Sequence, residues 1–508
     1  MKTEHWSMMK TIQQLLMISA ALCVTRGDGL HAAEPIDVGS DRQLILDGMF
    51  LEQSEGVNLK IHPPRKTGDV VLGREHEWES ASLNWFNVVQ DQGRIDRRAK
   101  YRMWYEAYDV DGWPTANDTS FCYAESRDGI RWTKPNLKMF SYKGSDRNNI
   151  LFRQIGSKTL SNRSRVHGTG VFIDSHASSK ARYKAVGQGL FVRPGQRPHR
   201  IAGMYSADGL KWTRFPKPII DVFADSQYSG FWDASRERYV VYGRVGGRGR
   251  SVGRSESAEF SHLDPLKLVA QASDEDPPNS DLYNSAVLKY AHAPNVYLMF
   301  PSLYQHGPDT LDIRLAVSRD GIRWSRPDQK TAFIALGKGN VFDSGSLYMG
   351  QGMIRVGDEL WLYYSGSPLR HQEAELENLT KPENARVYSR VVARLDRFVA
   401  ATAGPKGGAF TSPALRFTGD QLNLNVQVRG GGRIRIGLLD AEGRPLSKFS
   451  VEKCVPITGD WLGKAVEWKG GGDVGELAAK PTRLHIEMTD ARLFGFQFTS
   501  RESRGKPR

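Results

Sequence analysis

The stretch SRDGIRW at residues 126–132 recurs as SADGLKW at residues 206–212 and again as SRDGIRW at residues 318–324. In each copy the Asp-Gly pair favours a tight turn with a positive φ angle at the glycine. The Trp that follows begins the next strand and is expected to pack into a core. We therefore interpret each copy as one β-hairpin of a repeated unit, and a repeat of this kind indicates a fold built from stacked copies.

A second element recurs with the hairpins, a short strand that is dense in aromatic and branched residues. Five such strands begin at Tyr101, Tyr183, Tyr239, Tyr297 and Trp361. One sheet made of these strands leaves its apolar faces uncovered, whereas five sheets packed radially cover each other. The sequence therefore predicts an all-β fold, a five-bladed β-propeller over residues 34–395. We expect the strand at residues 43–46 to pair with the last blade and close the ring.

The pattern changes after Asp396, where glycine-rich turns separate strands of alternating polar and apolar residues. Such alternation is typical of a β-sandwich, so we predict that a C-terminal β-sandwich over residues 396–500 follows the propeller. We expect the sandwich to brace the propeller, and the alternative is that it is a carbohydrate-binding module. The basic tail at residues 501–508 is predicted to be disordered.

Residues 1–33 are interpreted as a secretory signal peptide, because two lysines precede an apolar run and small residues then lead to Ala33. Cleavage near Ala33 predicts a secreted or periplasmic protein. The apolar run is too short to cross a bilayer, so we expect no membrane span. Only Cys122 and Cys454 follow this segment. They fall in different predicted domains, which argues against a disulfide framework and excludes a Cys-x-x-Cys zinc site.

The 508 residues include 70 Lys and Arg against 57 Asp and Glu, a formal net charge of +13. These basic residues are scattered, and no helix-turn-helix, zinc-finger or RNA-recognition signature accompanies them. We therefore expect no nucleic acid partner. Basic charge on an exported protein favours an acidic or sulfated glycan as the polyanionic partner. We expect the protein to be a monomer.

The innermost strand of each propeller blade runs along the central axis, and one end of each such strand faces a shared funnel. Counting back from the aromatic strands places five residues at these ends: Trp85, His167, Asp225, Asp281 and Asp343. Carboxylates crowded into one cleft raise each other's pKa, so that one can act as an acid while another stays ionised. The alternative is that these Asp residues cap strand ends through backbone N–H groups.

Further candidates lie at the ends of the aromatic strands, where a sugar could stack on Trp104 while the Glu106 carboxyl protonates it or forms a hydrogen bond. Glu79 is an alternative acid. The predicted catalytic residues are Asp225, Asp281, Asp343, Glu106 and Asp47. The predicted substrate-binding residues are His167, Arg244, Tyr283, Trp85, Trp104, Glu79 and Tyr304. We predict no cofactor and no metal ligands, with an axial structural cation such as calcium as the alternative.

In its hairpin repeats and in several short sequence strings, the chain resembles the secreted five-bladed propeller glycosidases of the clan that contains glycoside hydrolase families 32, 43, 62 and 68. It is most similar to exported bacterial proteins with a family-32-like N-terminal domain. The strings that carry the resemblance include LDG at residues 46–48, YRMWY at 101–105 and FDSG at 342–345. In that clan one Asp is nucleophile or base, a second Asp stabilises the transition state and a Glu is the acid. The invertase-type WMNDPN string and the RDP string are absent here, so the resemblance matches Asp47 only loosely to the first Asp and assigns no Glu.

These features lead to one main hypothesis, an exported glycoside hydrolase that acts on a poly- or oligosaccharide in the funnel. The first alternative is a non-catalytic carbohydrate-binding or surface-interaction propeller in which the acids are structural. The second is a sialidase, whose Asp-box hairpins are similar. A sialidase is less favoured because its box places one more residue between Asp and Gly and its fold needs six blades.

Overall fold

The computed structural model describes residues 34–91, 100–111, 119–153, 166–191 and 193–501. Within these residues the fold is mostly β, with one single-turn α-helix at Leu376–Leu379. The 3-10 helices are Gly48–Phe50, Glu77–Glu79, Ser179–Ala181, Pro382–Asn384, Ser447–Phe449 and Gly475–Leu477. The predicted signal peptide and all but the first residue of the predicted tail lie outside the described residues. Among the described helices, none has the length and apolar character needed to cross a membrane.

Blades one to three are antiparallel sheets built from consecutive strands. Blade one contains Ser82–Gln90, Tyr101–Tyr108, Thr119–Ser126 and Ile150–Arg153. Blade two contains Gly170–Ile173, Tyr183–Leu190 and His199–Ser206, and both Thr213–Arg214 and Ile220–Phe223 pair with its third strand. Blade three contains Ser229–Asp233, Arg238–Gly247, Gly249–Ser257 and Lys267–Ala270.

Blades four and five are less regular. Blade four is split into one set, Val287–Lys289, Tyr297–Met299 and Ala316–Ser318, and a second set, Ser280–Leu282, Ser302–Gln305 and Thr310–Ile313. Blade five contains Ser346–Met349, Glu359–Ser367 and Val387–Arg394, with Ile354–Val356 beside the second of these. Its outermost strand is Arg65–Leu72, which comes from before blade one in the chain.

The ring closes where blade five meets blade one. Asn87 and Gln351 form a parallel bridge there, and the amide of Val88 donates to the Gln351 carbonyl at 2.9 Å. The inner strands of blades one to four contact one another in order, blade five contacts both blade four and blade one, and the predicted all-β, five-bladed propeller is therefore confirmed.

The prediction that residues 43–46 close the ring is wrong. Gln43–Leu44 pairs instead with Phe496 and Gly495 of the C-terminal domain. Ile45 belongs to the core of that domain, whereas its neighbours on either side belong to the core that faces blades four and five. The segment is apolar on both faces because it runs between two cores, and this pattern resembles that of a buried inner strand.

The C-terminal domain is a further β domain organised around two long strands, Gln421–Leu439 and Arg483–Thr499, which pair along most of their length. Its other C-terminal strands are Val399–Ala403, Gly408–Thr411, Leu415–Phe417 and Asp460–Ala465. The N-terminal strands that pair with this domain are Ile36–Gly39, Gln43–Leu44, Gln53–Glu55 and Val57–Ile61. Residues 36–61, which we predicted to lie in the propeller, therefore pair with the C-terminal domain.

The repeated hairpin has the predicted turn. Gly129 has a φ of 75°, and the Asp128 carboxylate accepts the amides of Ile130 and Arg131 at 2.9 and 2.8 Å. The other two copies have the same turn, with a φ of 73° at Gly209 and 70° at Gly321. The structure also shows a role that the sequence did not predict, since each of these glycine carbonyls accepts a hydrogen bond from the preceding blade. The donors are Tyr363 to Gly129, Trp104 to Gly209 and Tyr242 to Gly321.

A second contact repeats between adjacent blades, at the ends of the inner strands. The Tyr239 hydroxyl of blade three donates to the Asp174 carboxylate of blade two at 2.8 Å. The Tyr183–Asp91 and Tyr297–Asp233 hydrogen bonds are the equivalent contacts between blades two and one and between blades four and three. The first tyrosine of the second strand thus joins its blade to the previous one.

Candidate active site

Aromatic side chains from three blades meet at one mouth of the propeller. Trp85 of blade one has its ring centroid 5.0 Å from Tyr348 of blade five and 6.5 Å from Tyr283 of blade four. Tyr283 is also 4.9 Å from His371 and 6.1 Å from Tyr304. Trp85, Tyr348 and Tyr304 are buried, so they form the floor of the mouth rather than its rim.

Beside this floor, one imidazole ring links two carboxylates. His167 Nδ1 lies 3.1 Å from Glu106 Oε1, and His167 Nε2 lies 3.3 Å from Asp225 Oδ1. Glu106 is only 1% exposed and also accepts the Tyr108 hydroxyl at 2.6 Å. The side chain of Asp225 is 43% exposed. The chain of contacts therefore runs from a buried carboxylate through the imidazole to a carboxylate that solvent can reach.

Arg244 completes the surroundings of Asp225. Its Nη1 donates to Asp225 Oδ2 at 2.6 Å, and its Nη2 donates to the Tyr283 carbonyl at 3.1 Å. Burial favours the protonated form of Asp225, but the hydrogen bond with His167 and the charge of Arg244 outweigh it, so the pKa of Asp225 lies below its ordinary value. Asp225 is therefore ionised at neutral pH and can act as a base or a nucleophile.

Asp281 lies on the other side of Tyr283, where it contacts Arg250 and His306. Arg250 Nη1 donates to Asp281 Oδ2 at 2.7 Å, and His306 Nε2 lies 2.9 Å from the same oxygen. Burial alone would raise the pKa of Asp281, but these two hydrogen bonds more than offset it and the pKa is lowered. Asp281 is therefore also ionised at neutral pH.

An open cavity of about 460 Å³ lies between blades two and three beside these groups. Its lining includes Asp225, Arg244, Arg250 and Phe223. Phe223 is 49% exposed, so its ring is available for stacking against a sugar. The volume falls within the range that small ligands occupy in proteins.

Two basic side chains lie deeper in the mouth. His371 Nδ1 contacts the Tyr348 hydroxyl at 3.1 Å. Burial, and then the charge of Arg250, lower the pKa of His371 to about 4, so His371 is neutral at pH 7. Arg386 lies over the Tyr348 ring at 4.8 Å, and burial lowers its pKa.

Two of the predicted acids lie away from this mouth. Asp343 Oδ2 accepts from Lys66 Nζ at 2.6 Å and from the Tyr364 hydroxyl at 2.8 Å, on the part of blade five that faces the C-terminal domain. Glu79 accepts from Lys134 at 2.8 Å and from the Tyr105 hydroxyl at 2.6 Å within blade one. Both carboxylates are buried and each pairs with a lysine, so the structure does not bring them together with Asp225 and Asp281.

Trp104 and Asp47 are also structural. Trp104 is fully buried and its indole N–H donates to the Gly209 carbonyl at 2.7 Å, so it joins two blades. Asp47 caps the first 3-10 helix by accepting the Met49 amide at 3.1 Å, and it pairs with Arg319 at 3.0 Å. Trp104 lies within the strand Tyr101–Tyr108 and Asp47 follows Gln43–Leu44, and the contacts of both are outside the mouth.

The structure brings together eight of the predicted residues: Trp85, Glu106, His167, Asp225, Arg244, Asp281, Tyr283 and Tyr304. It adds residues that sequence reasoning missed: Tyr108, Phe223, Arg250, His306, Tyr348, His371 and Arg386. Tyr108 and Tyr348 could have been found, since Tyr108 lies two residues after Glu106 and Tyr348 is on the inner strand after Asp343. The others lie on loops and outer positions with no distinctive local signal. Among the described residues, no three His, Cys, Asp or Glu side chains are arranged to hold a metal ion.

No protein-family model matches the chain, and no curated protein matches it. Solved structures do match. A glycosyl hydrolase from Bacteroides ovatus is 13% identical with a TM-score of 0.45, over 70% of this chain and 98% of that one. The catalytic domain of the Coprinopsis cinerea GH62 alpha-L-arabinofuranosidase is 11% identical with a TM-score of 0.41, over 65% and 97% of the two chains. An N-acetylgalactosamine deacetylase from F. plautii is 14% identical with a TM-score of 0.40, over 68% and 96%. The structural neighbours of this chain are thus propeller glycoside hydrolases and a deacetylase, at low sequence identity.

Proposed function

We propose that the protein is a glycoside hydrolase that acts on a poly- or oligosaccharide bound at the mouth where the five blades meet. The observation that carries this proposal is the contact chain from Glu106 through His167 to Asp225, which ends at an open cavity. A buried carboxylate that orients an imidazole beside a reactive group is an arrangement that recurs in hydrolases. As part of the same proposal, the protein acts outside the cytoplasm after export through residues 1–33.

The roles in this proposal follow from hydrogen-bond chemistry. An ionised carboxylate only accepts hydrogen bonds, so we assign the His167 nitrogen that faces Asp225 as a donor. We assign proton delivery to the leaving oxygen to His167, and Asp225 is the ionised carboxylate that holds the His167 ring from the solvent side. Glu106 is a positioning residue that holds the His167 ring. Asp281 is assigned as the base that activates water from the opposite side of the sugar.

The experiment uses the exported chain and a panel of poly- and oligosaccharides, with release of reducing ends as the measurement. Asp225→Asn and Asp281→Asn are each expected to lower kcat on a responsive glycan by roughly 10²- to 10⁴-fold, because the first removes the carboxylate that holds the proton donor and the second removes the base. Asp221→Asn is the matched control, since Asp221 is exposed and pairs with Arg193 and Arg200 outside the contact chain. Full activity in both test variants would contradict the assignment.

A second candidate function is non-catalytic carbohydrate binding. It is favoured by one observation, that both Asp225 and Asp281 are already paired with arginines and have lowered pKa values. Hydrolysis needs one group that can be protonated near neutral pH, and paired, ionised aspartates serve equally well as hydrogen-bond acceptors for sugar hydroxyls. Glycan binding with no product after long incubation would support this function over the first.

A further inference from the structure

Two guanidinium groups flank one tyrosine at the mouth. Arg244 lies 4.6 Å from the Tyr283 ring centroid and Arg250 lies 4.9 Å from it. Arg250 is also 5.6 Å from the Tyr304 ring. Both arginines line the cavity of about 460 Å³. Two cations are thus held at the wall of an open cavity by aromatic rings that restrict their movement.

The hydrogen bonds of these groups leave donors unused. Arg250 donates to Asp281 through Nη1, and within the part of the chain that the structure describes its Nε and Nη2 have no acceptor. Arg244 Nε is buried without an acceptor among the described residues. The same is true of Trp85 Nε1, although Trp85 is 5% exposed and stacks near Tyr283. A buried donor without an acceptor destabilises the protein, so a ligand that supplies an acceptor removes that penalty.

The unused atoms of Arg244, Arg250 and Trp85 are all donors, and this favours a ligand that supplies acceptors. A sugar hydroxyl both donates and accepts, whereas a carboxylate or a sulfate only accepts and is negatively charged. Guanidinium groups bind such oxyanions through charge-assisted, often bidentate hydrogen bonds. We propose that Arg244, Arg250 and Trp85 form a subsite for the anionic group of an acidic glycan. This inference rests on the proposed function of the same mouth, and it specifies the substrate class.

The backbone before Arg250 fixes this subsite. Gly249 has a φ of 64°, and a Cβ atom there would meet Asp281 Oδ1 at 1.7 Å. Only a glycine therefore lets the strand approach Asp281 closely enough for the Arg250–Asp281 pair to form. A subsite held in place before the ligand arrives loses less entropy on binding. The net charge of +13 adds long-range attraction for an anionic chain.

The test measures binding directly, by isothermal titration calorimetry with the exported chain. Three probes are used: an oligogalacturonide, which carries carboxylates, a sulfated galactan oligosaccharide and a neutral galactan oligosaccharide. For at least one acidic probe, Arg250→Gln is expected to raise Kd about tenfold or more, equal to about 1.4 kcal/mol. The neutral probe is expected to bind more weakly to the unaltered protein and to change less than twofold in the variant. Arg323→Gln is the matched control, since it removes the same charge from an exposed hairpin position.

The acidic probe that loses affinity identifies the anion as carboxylate or sulfate. Equal binding of acidic and neutral probes overturns the proposal, and so does tight acidic binding that Arg250→Gln leaves unchanged. Because turnover is not the readout, the two proposals fail separately. If an acidic probe binds through Arg250 but no product forms, the proposed hydrolase function is rejected and the proposed anionic subsite is kept. If the protein hydrolyses only neutral glycans and binds acidic probes no more tightly than neutral ones, the proposed anionic subsite is rejected and the proposed hydrolase function is kept.

Discussion

The hydroxyl of Tyr363 donates a 2.6 Å hydrogen bond to the carbonyl of Gly129. Tyr363 lies in the second strand of blade five and Gly129 in the hairpin of blade one, so this contact crosses the point where the ring closes. The same contact joins blade two to blade one and blade four to blade three. The repeated hairpin therefore joins adjacent blades through a hydrogen bond, and its conformation contributes to the shape of the central mouth.

We expect Tyr363→Phe to destabilise the protein. The change leaves the buried Gly129 carbonyl without its hydrogen bond, at a cost of about 1–3 kcal/mol. The measurement is the midpoint of thermal unfolding. Tyr205→Phe is the control, since the Tyr205 hydroxyl makes no hydrogen bond among the described residues. This change should alter the free energy of unfolding by no more than about half a kcal/mol and leave the midpoint nearly unchanged. Equal midpoints for both variants would mean that the closing contact adds no stability.

Gly129→Ala is expected to destabilise the protein more than Gly144→Ala. Both glycines have positive φ angles, 75° and 85°, so both changes cost about 1–2 kcal/mol of backbone strain. A Cβ atom at Gly129 would also meet the Tyr363 hydroxyl at 2.9 Å, whereas one at Gly144 would meet nothing within 4 Å. Thermal unfolding of the two variants isolates the packing cost. A larger loss at Gly144 would contradict the close approach of the two blades.

Glu106→Gln tests the positioning role within the proposed hydrolase. The amide changes the group that contacts His167 Nδ1 at 3.1 Å and so disturbs the position of the ring; kcat is therefore expected to fall by roughly 10²-fold or more while KM changes little. Glu487→Gln, on the exposed face of the C-terminal domain, is the control. A rise in KM with unchanged kcat would assign Glu106 to substrate binding instead.

Stability is expected to fall as the pH is lowered from about 6.5 to about 4, in part because of His371. The pKa of His371 is about 4 in the folded protein and 6.5 when the chain is exposed. Between these values the unfolded chain binds more protons, so acid favours unfolding across that window. His371→Asn should reduce the slope of the unfolding midpoint against pH, even if the loss of the Tyr348 contact lowers the midpoint overall. The same slope in both proteins would show that His371 is not buried as described.

Some of the candidate site could be predicted because the propeller repeat places equivalent positions at one mouth. His167 and Asp225 were found in this way, and the structure brings them together. Asp343 was indexed by the same rule but lies against Lys66 and Tyr364. The residues before an inner strand can turn toward the axis or toward the neighbouring sheet, and the local sequence is similar in the two cases.

The arginines show the limit of sequence reasoning most clearly. Arg244 and Arg250 lie on consecutive strands of blade three, among several basic residues of similar appearance. What distinguishes them is Tyr283, which is contributed by another blade. The spacing of these residues along the chain does not predict the contact between the two arginines and the Tyr283 ring.

The sequence alone determined the hairpin turns, the number of blades and the all-β class, because turn geometry and strand patterning depend on residues that are adjacent in the chain. Only the tertiary structure decided which strand closes the ring and which carboxylates share the mouth. Arg65–Leu72 pairs with Val387–Arg394, and Gln43–Leu44 pairs with Phe496 and Gly495, across most of the length of the chain. The physical reason is that these partners are selected by the burial of apolar faces and by charge pairing between distant segments, which local preference does not specify.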